Sequence, residues 1–197
     1  NHKRVYRVMK SNGLLLSCYG KKPIRVHDGK VITLHPNTRW CSDSFVISCD
    51  NGDRFQVAFS LDTCDREAMR YVASTKGIDG GLIRDLMAET MHHRFGQCDK
   101  LPKTIQWLSD NGSCYTAHET VRFGRSIGLA ICTTPPYSPE SNGMAEAFVK
   151  TFKRDYVWPN DLGSAQRVIE QLPYWFEDYN ENAPHKGLKM MAPRQYI

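Results

Sequence analysis

The chain has 197 residues, of which 41% are hydrophobic and 24% charged, with a net charge of +5. This is the composition of an ordinary globular protein with room for one sizeable core. No apolar run reaches the roughly 18 residues a membrane-spanning helix needs, and no signal-peptide pattern opens the chain. Asn1 rather than Met comes first, and the opening residues already have a helical pattern, as expected of a piece that begins inside a longer protein. The seven cysteines are odd in number and scattered, and no two form a CxxC pair. They fit reduced thiols of a cytosolic protein better than a disulfide framework or a zinc site.

Charge is distributed unevenly. Residues 1–40 hold nine Lys and Arg against Asp28 alone, a balance of +8, whereas the remainder holds 17 bases and 20 acids, a balance of −3. A basic arm on a mildly acidic body suits a polyanionic partner, most simply nucleic acid, although a solvated basic tail would look the same.

The first element is a short basic helix in "HKRVYRVMKSNGLL", carrying Lys3, Arg4, Arg7 and Lys10 and stopped at Gly13. A weakly periodic linker follows, punctuated by Pro23 and Pro36. "RWCSDSFVISC" and "RFQVAFSLD" are β-rich and joined by "DNGD", which predicts a hairpin, and "AMRYVAS" supplies a third strand. "GGLIRDLMAETMHHRF" predicts a helix with Leu82, Leu86, Ala88 and Met91 inward and the His92-His93 pair on its surface. "KTIQWLSDNG" predicts a buried strand ending in a turn, "AHETVRFGRSIG" a helix and "LAICTTPPY" a strand. "SPESNGMAEAFVKTFKRDY" starts as a loop and becomes a helix; "SAQRVIEQLPYWFEDYNENA" is the last helix, with Pro173 expected to kink or interrupt it. Three strands in a meander followed by alternating helices and strands predict an α/β layer architecture with a mixed sheet.

Three acids stand out. Asp43 lies within the first strand, where Asp is disfavoured and costly to bury unpaired. Asp110 ends a later strand, the place where α/β sheets assemble sites, although Asp-Asn-Gly is also ordinary turn chemistry. Glu146 flanks the apolar stripe Ala145, Phe148, Val149, Phe152 and Tyr156. At 3.6 residues per turn, Lys150 lies about 40° from Glu146 and Lys153 about 20° to its other side. Those lysines could form surface ion pairs or meet a phosphate backbone. Glu140, just after Pro139, suits a helix N-terminus. Asp62 and Asp65 are expected to be structural. Three carboxylates brought together could hold Mg²⁺ or Mn²⁺, and two such ions about 4 Å apart support in-line displacement at phosphorus.

The spacing and motifs resemble a known family. Asp110 and Glu146 have 35 residues between them, the interval of the Asp, Asp, Glu pattern in retroviral integrases and related bacterial transposases. "WCSD", "LSDNGSCYT" and "PPYSPESNGMAEAF" resemble the segments around the three acids in that family. "DYNENAPHKGLKMMAPRQYI" resembles the carboxy-terminal signature of insertion-sequence transposases, with Ala183 where that signature has Arg. The likeness covers nearly the whole chain and is strongest to B-frame transposases of the insertion-sequence-three family, the insertion sequence two group among them.

The resemblance implies an RNase H-like α/β fold with a mixed five-stranded sheet flanked by helices. It implies three regions: a basic segment at 1–35 from a DNA-binding region, an integrase-like catalytic core at 36–160, and a helical extension at 161–197. It implies a DDE transposase that cuts DNA at element ends and transfers the strand, with Asp43, Asp110 and Glu146 as catalytic residues holding two Mg²⁺ or Mn²⁺ ions once DNA is bound. The expected DNA-contacting residues are Asn142, Gly143, Lys150 and Lys153, with Lys3, Arg4, Arg7 and Lys10 in the basic helix. The expected partners are double-stranded DNA, as element end and target, and further copies of the chain on that DNA, in the bacterial cytoplasm. An RNase H-like nuclease without strand transfer and a catalytically decayed DNA-binding module are the rival readings.

Overall fold

The computed structural model describes residues 1–15, 33–134 and 142–197. The linker around Pro23 and the loop containing Glu140, with the expectations attached to them, lie outside those residues. The chain divides into two units, Asn1–Val31 and Ile32–Ile197. In the first, helix α1 (His2–Ser11) buries none of its residues. Lys3, Arg4, Arg7 and Lys10 occupy one arc of about 120°, and Val5, Tyr6, Val8 and Met9 occupy the opposite arc.

The second unit is built on one sheet. Strands β1 (Arg39–Ser48), β2 (Arg54–Asp62) and β3 (Ala68–Ser74) form the meander. The turn after β1 is the expected hairpin: the Cys49 N–H donates to the Asp53 carbonyl at 2.8 Å, and Gly52 takes φ +91°. Helix α2 (Gly80–Phe95) leads to β4 (Ile105–Ser109); a short α3 (Ser113–Thr116) and α4 (His118–Ser126) lead to β5 (Leu129–Thr133). Helices α5 (Gly143–Phe152), α6 (Ala165–Asn182) and α7 (Pro193–Tyr196) complete the chain. The sheet order is β3-β2-β1-β4-β5, antiparallel within the meander and parallel from β1 through β4 to β5.

Alternation along β1 sends its residues into two cores. Cys41, Phe45 and Ile47 pack with Phe148 and Phe152 of α5 and with Trp175, Phe176 and Tyr179 of α6. Trp40 packs on the other face with Trp107, with Ile83, Leu86, Met87 and Met91 of α2, and with Tyr115 of α3. Helix α6 belongs to the first core through Ala165, Val168 and Leu172 as well. The segment 161–197 therefore shares the packing of the sheet.

Three local expectations need correction. The inward face of α2 is Ile83, Leu86, Met87, Thr90 and Met91, one position round from the Leu82 and Ala88 pattern. His93 is not simply on the surface, since its Nε2 lies 3.0 Å from Glu67 Oε1. Helix α6 is not interrupted at Pro173, which is exposed while the apolar stripe stays packed. After α5 the chain widens into a π turn, Lys153–Val157, closed by a bond from the Trp158 N–H to the Lys153 carbonyl at 2.8 Å. This wider turn keeps both Phe152 and Val157 in the core. Among the described residues no helix is long and apolar enough to cross a membrane, and the six described cysteines are all unpaired.

Candidate active site

Asp43 sits between Cys41 and Phe45 on β1 and shares their face of the sheet, under α5. Strands β1 and β4 run parallel with Trp40 opposite Trp107 and Cys41 opposite Leu108. Carried two residues on, that register sets Asp43 level with Asp110. Leu108 belongs to the same core as Cys41, so Asp110, two residues beyond it, lies toward the same face. Helix α5 covers this face and presents Glu146 from its first turn. Two parallel strands and one helix thus converge on a single end of the sheet, which the spacing of acids along the sequence could not show by itself.

The local bonding leaves the carboxylates poised rather than consumed. The Ser44 N–H donates to Asp43 Oδ1 at 2.7 Å, and the Gly112 N–H donates to Asp110 Oδ1 at 3.0 Å. Glycine suits position 112, because a Cβ there would meet Asp110 Oδ1 at 2.9 Å. The Asp43 carboxyl is pushed up to about 6, first by burial and then by the charges of Asp110 and Glu146, against the pull of the Ser44 bond. The charges of Asp110 and Glu146 therefore both reach Asp43. Among the described residues no three or more His, Cys, Asp or Glu side chains, these three acids included, are gathered closely enough to hold a metal ion as they stand.

The other expected site residues fall into separate places. Lys150 is exposed on the Glu146 flank of α5. Lys153 is half-buried, with Nζ 5.5 Å from the centroid of the Phe45 ring, two residues along β1 from Asp43. Gly143 is exposed at the start of α5. Asn142 turns inward: it is 5% exposed and its Nδ2 donates to the Ser42 carbonyl at 3.5 Å. Lys3, Arg4, Arg7 and Lys10 lie exposed on α1, in the other unit.

Asp62 and Asp65 stand apart from this cluster. Asp62 is fully buried and accepts bonds from the backbone N–H groups of Asn37 and Cys64 and from Trp40 Nε1. Asp65 takes two bonds from Arg94 Nη2, at 2.9 and 2.7 Å. A shallow cavity of about 450 Å³ lined by Arg84, Glu119, Arg122, Phe123 and Ser126 lies on the α2 and α4 layer, on the opposite side of the sheet from the acids. Sequence reasoning missed Ser42 and Tyr115, whose hydroxyls are 3.0 Å apart in the buried layer beneath β1. No motif marks that pair; it emerges only once the strand and the α3 turn are packed.

A mixed five-stranded sheet in the order 3-2-1-4-5 with flanking helices is the RNase H-like fold of integrase and transposase cores, and here it carries an acid on its first strand, one just past its fourth and one on the helix that follows the sheet. The chain belongs to the integrase core domain family, which it matches over residues 33–139 and again over 127–193, and to the insertion-element transposases within it. It is 45% identical over 207 residues to the putative transposase InsD for insertion element IS2E of Escherichia coli K12, with 100% of this chain and 91% of that protein covered. The same identity holds to transposase InsD for insertion element IS2A/D/F/H/I/K of Escherichia coli, of whose length the chain spans 66%. Among solved structures, a chain of the simian T-cell lymphotropic virus intasome superposes with a TM-score of 0.68 at 18% identity, over 95% of this chain and 66% of that one. The HTLV-2 integrase catalytic core domain in complex with magnesium, in a dimeric form, superposes with a TM-score of 0.57 at 15% identity, over 83% and 97%. The Mos1 mariner transposase catalytic domain gives 0.59 at 13% identity, over 72% and 70%.

Proposed function

We propose that this chain is the catalytic core of an insertion-element transposase that cleaves one DNA strand at an element end and joins the freed 3′-OH to target DNA. The observation that carries this reading is the convergence of Asp43, Asp110 and Glu146 at one end of the parallel β1–β4 pair, under α5. Asp43, whose proton affinity Asp110 and Glu146 raise, forms with them a set of hard carboxylate oxygens of the kind that Mg²⁺ or Mn²⁺ takes. Asp43, Asp110 and Glu146 would hold the metal, two ions once DNA phosphates complete the ligand set. Bound there, the metal would supply a polarised attacking oxygen and charge stabilisation for the leaving one.

The protein's own groups do the positioning. The two strand acids are fixed by the sheet register, and the α5 acid by packing of Phe148 and Phe152 into the core. Lys150 lies on the Glu146 flank to meet a phosphate, and Lys153 extends that positive edge from beside Phe45. Water and then the 3′-OH serve as nucleophiles, so no Ser or Tyr of the chain is required to bond to DNA. Residues 1–35 act as a basic DNA-facing arm, 36–160 as the core, and 161–197 as the segment that closes over it. The partners are double-stranded DNA, as end and target, and further copies of the chain, in line with solved neighbours that include an intasome and a core in dimeric form. The setting is the bacterial cytoplasm, on the nucleoid when DNA is bound.

The test is Glu146→Gln on element-end duplexes with Mg²⁺. Cleavage and joining should both fall below detection while DNA binding is retained; joining that survives would sink the assignment. Supplying ends already cut to a 3′-OH separates the nuclease reading, since a nuclease without strand transfer yields no joined product from them.

A further inference from the structure

Beneath the acids lies a set of buried polar side chains with no role in the chemistry above. Ser42, Tyr115 and Asn142 are 0%, 2% and 5% exposed. Ser42 is the neighbour of Asp43 on β1, and the pleat sends its side chain to the opposite face of the sheet. There its Oγ lies 3.0 Å from the Tyr115 hydroxyl, in the α3 turn five residues beyond Asp110. Its carbonyl accepts the bond from Asn142 Nδ2, four residues before Glu146 at the N-terminus of α5. One residue therefore bonds to both of the other chain segments that carry an acid.

Core packing does not demand these groups. A phenylalanine at 115 would fill the same apolar space beside Trp40, Trp107 and Met87, and alanine would satisfy a fully buried position 42. Burying two hydroxyls and an amide is costly unless each is partnered, and among the described residues Asn142 Oδ1 has no partner at all. The cost is explained if the bonds fix geometry. We propose that Ser42 is the positioning hub of the acid cluster, its hydroxyl tying the Asp110 turn and its carbonyl tying the Glu146 helix to the strand that carries Asp43. This rests on the reading of those acids as the metal ligands. The hub sets their spacing and so the affinity for the ion, as residues behind a ligand shell do.

The experiment measures Mn²⁺ binding to the full chain without DNA, by water-proton relaxation, together with the thermal midpoint. The chains compared are the parent, Asp43→Asn, Tyr115→Phe, Ser42→Ala, Asn142→Ala and the Ser42→Ala/Tyr115→Phe pair. Binding should be lost in Asp43→Asn. Each hub variant should raise half-saturation by roughly 10-fold or more. In the double variant both members of the hydroxyl pair are gone, so its midpoint should return toward the parent while half-saturation stays raised no further than in either single. Hub variants that bind Mn²⁺ like the parent, or a double variant that recovers affinity along with stability, would overturn the hub while leaving the ligand reading intact. Parental Mn²⁺ binding by Asp43→Asn would instead overturn the ligand reading, and the hub with it.

Discussion

Asp43 shows at the scale of one residue how a site opposes the fold that holds it. Its carboxyl, pushed up to about 6 by burial and by Asp110 and Glu146, is charged at neutral pH only at a cost to the folded state. The sign follows from linkage. A group whose folded pKa lies above its unfolded value favours folding where it is protonated, and that contribution is lost as pH rises from about 4 through about 6. Partial exposure screens the interaction, so the cost near neutrality is taken as about 1–2 kcal/mol rather than the full shift. Asp43→Asn keeps the shape and can still accept the Ser44 N–H, but carries no charge. It should raise the thermal midpoint at pH 7.5 by roughly 3–6 °C in metal-free buffer, with the gain shrinking toward zero as pH falls to about 4. Melting curves for both chains across that range decide it; an offset that does not change with pH would remove the electrostatic explanation. The same variant loses the benefit of added Mg²⁺, which should stabilise only the chain with all three acids.

At the scale of elements, the turn between β2 and β3 is held by charge. Arg94 of α2 reaches Asp65 at 2.7 Å, Glu67 at 3.1 Å and Asp62 at 3.8 Å, and all three acids are nearly or fully buried. Arg194 of α7 adds bonds to Glu67, Glu177 and Glu181, so one network joins α2, the turn, α6 and α7. Burial and Asp62 push the Asp65 carboxyl up against the pull of Arg94; burial does the same to Glu67, but His93, Arg94 and Arg194 bring it below the usual range. Arg94→Ala would strand these acids and should cost roughly 3–5 kcal/mol at neutral pH, with the deficit shrinking as the acids become protonated at lower pH. Urea denaturation at two pH values reads both parts, and a deficit that grows on acidification would refute the account. Elements whose cause is local were legible in the sequence: the Asn51-Gly52 hairpin, the alternation of β1 and β2, and the stripe of α5. The inward face of α2 was misjudged by one position because Thr90 is among its buried residues and bonds Ser60. His93 and Pro173 were misjudged because a partner from β3's turn, and packing of α6 against the sheet, outweighed local preference. The acids were legible as types, but their juxtaposition depends on the register of two strands 67 residues apart in sequence, and the Ser42–Tyr115 bond, 73 residues apart, had no local signal.

For the whole molecule, the uneven charge becomes a physical division. The second unit holds 18 bases and 20 acids, a balance of −2 that includes Asp43, Asp110 and Glu146, while α1 places four cations on one arc and buries nothing. A body of that sign gains little from DNA through its general field, so the arm should supply a large part of the sequence-independent affinity. Changing Lys3, Arg4, Arg7 and Lys10 together to Gln leaves a helix-compatible sequence and touches no core residue. The thermal midpoint of the catalytic unit should stay within about 1 °C of the parent. Binding to a duplex should weaken, and the slope of log affinity against log salt should become shallower by about 0.9 for each phosphate contact removed, roughly 2 to 4 in total. Fluorescence anisotropy from low to physiological salt gives the slope directly. An unchanged slope would assign the electrostatic footprint to the Lys150 and Lys153 edge beside the acids instead, and the same titration on Lys150→Gln/Lys153→Gln would then show the loss that α1 did not.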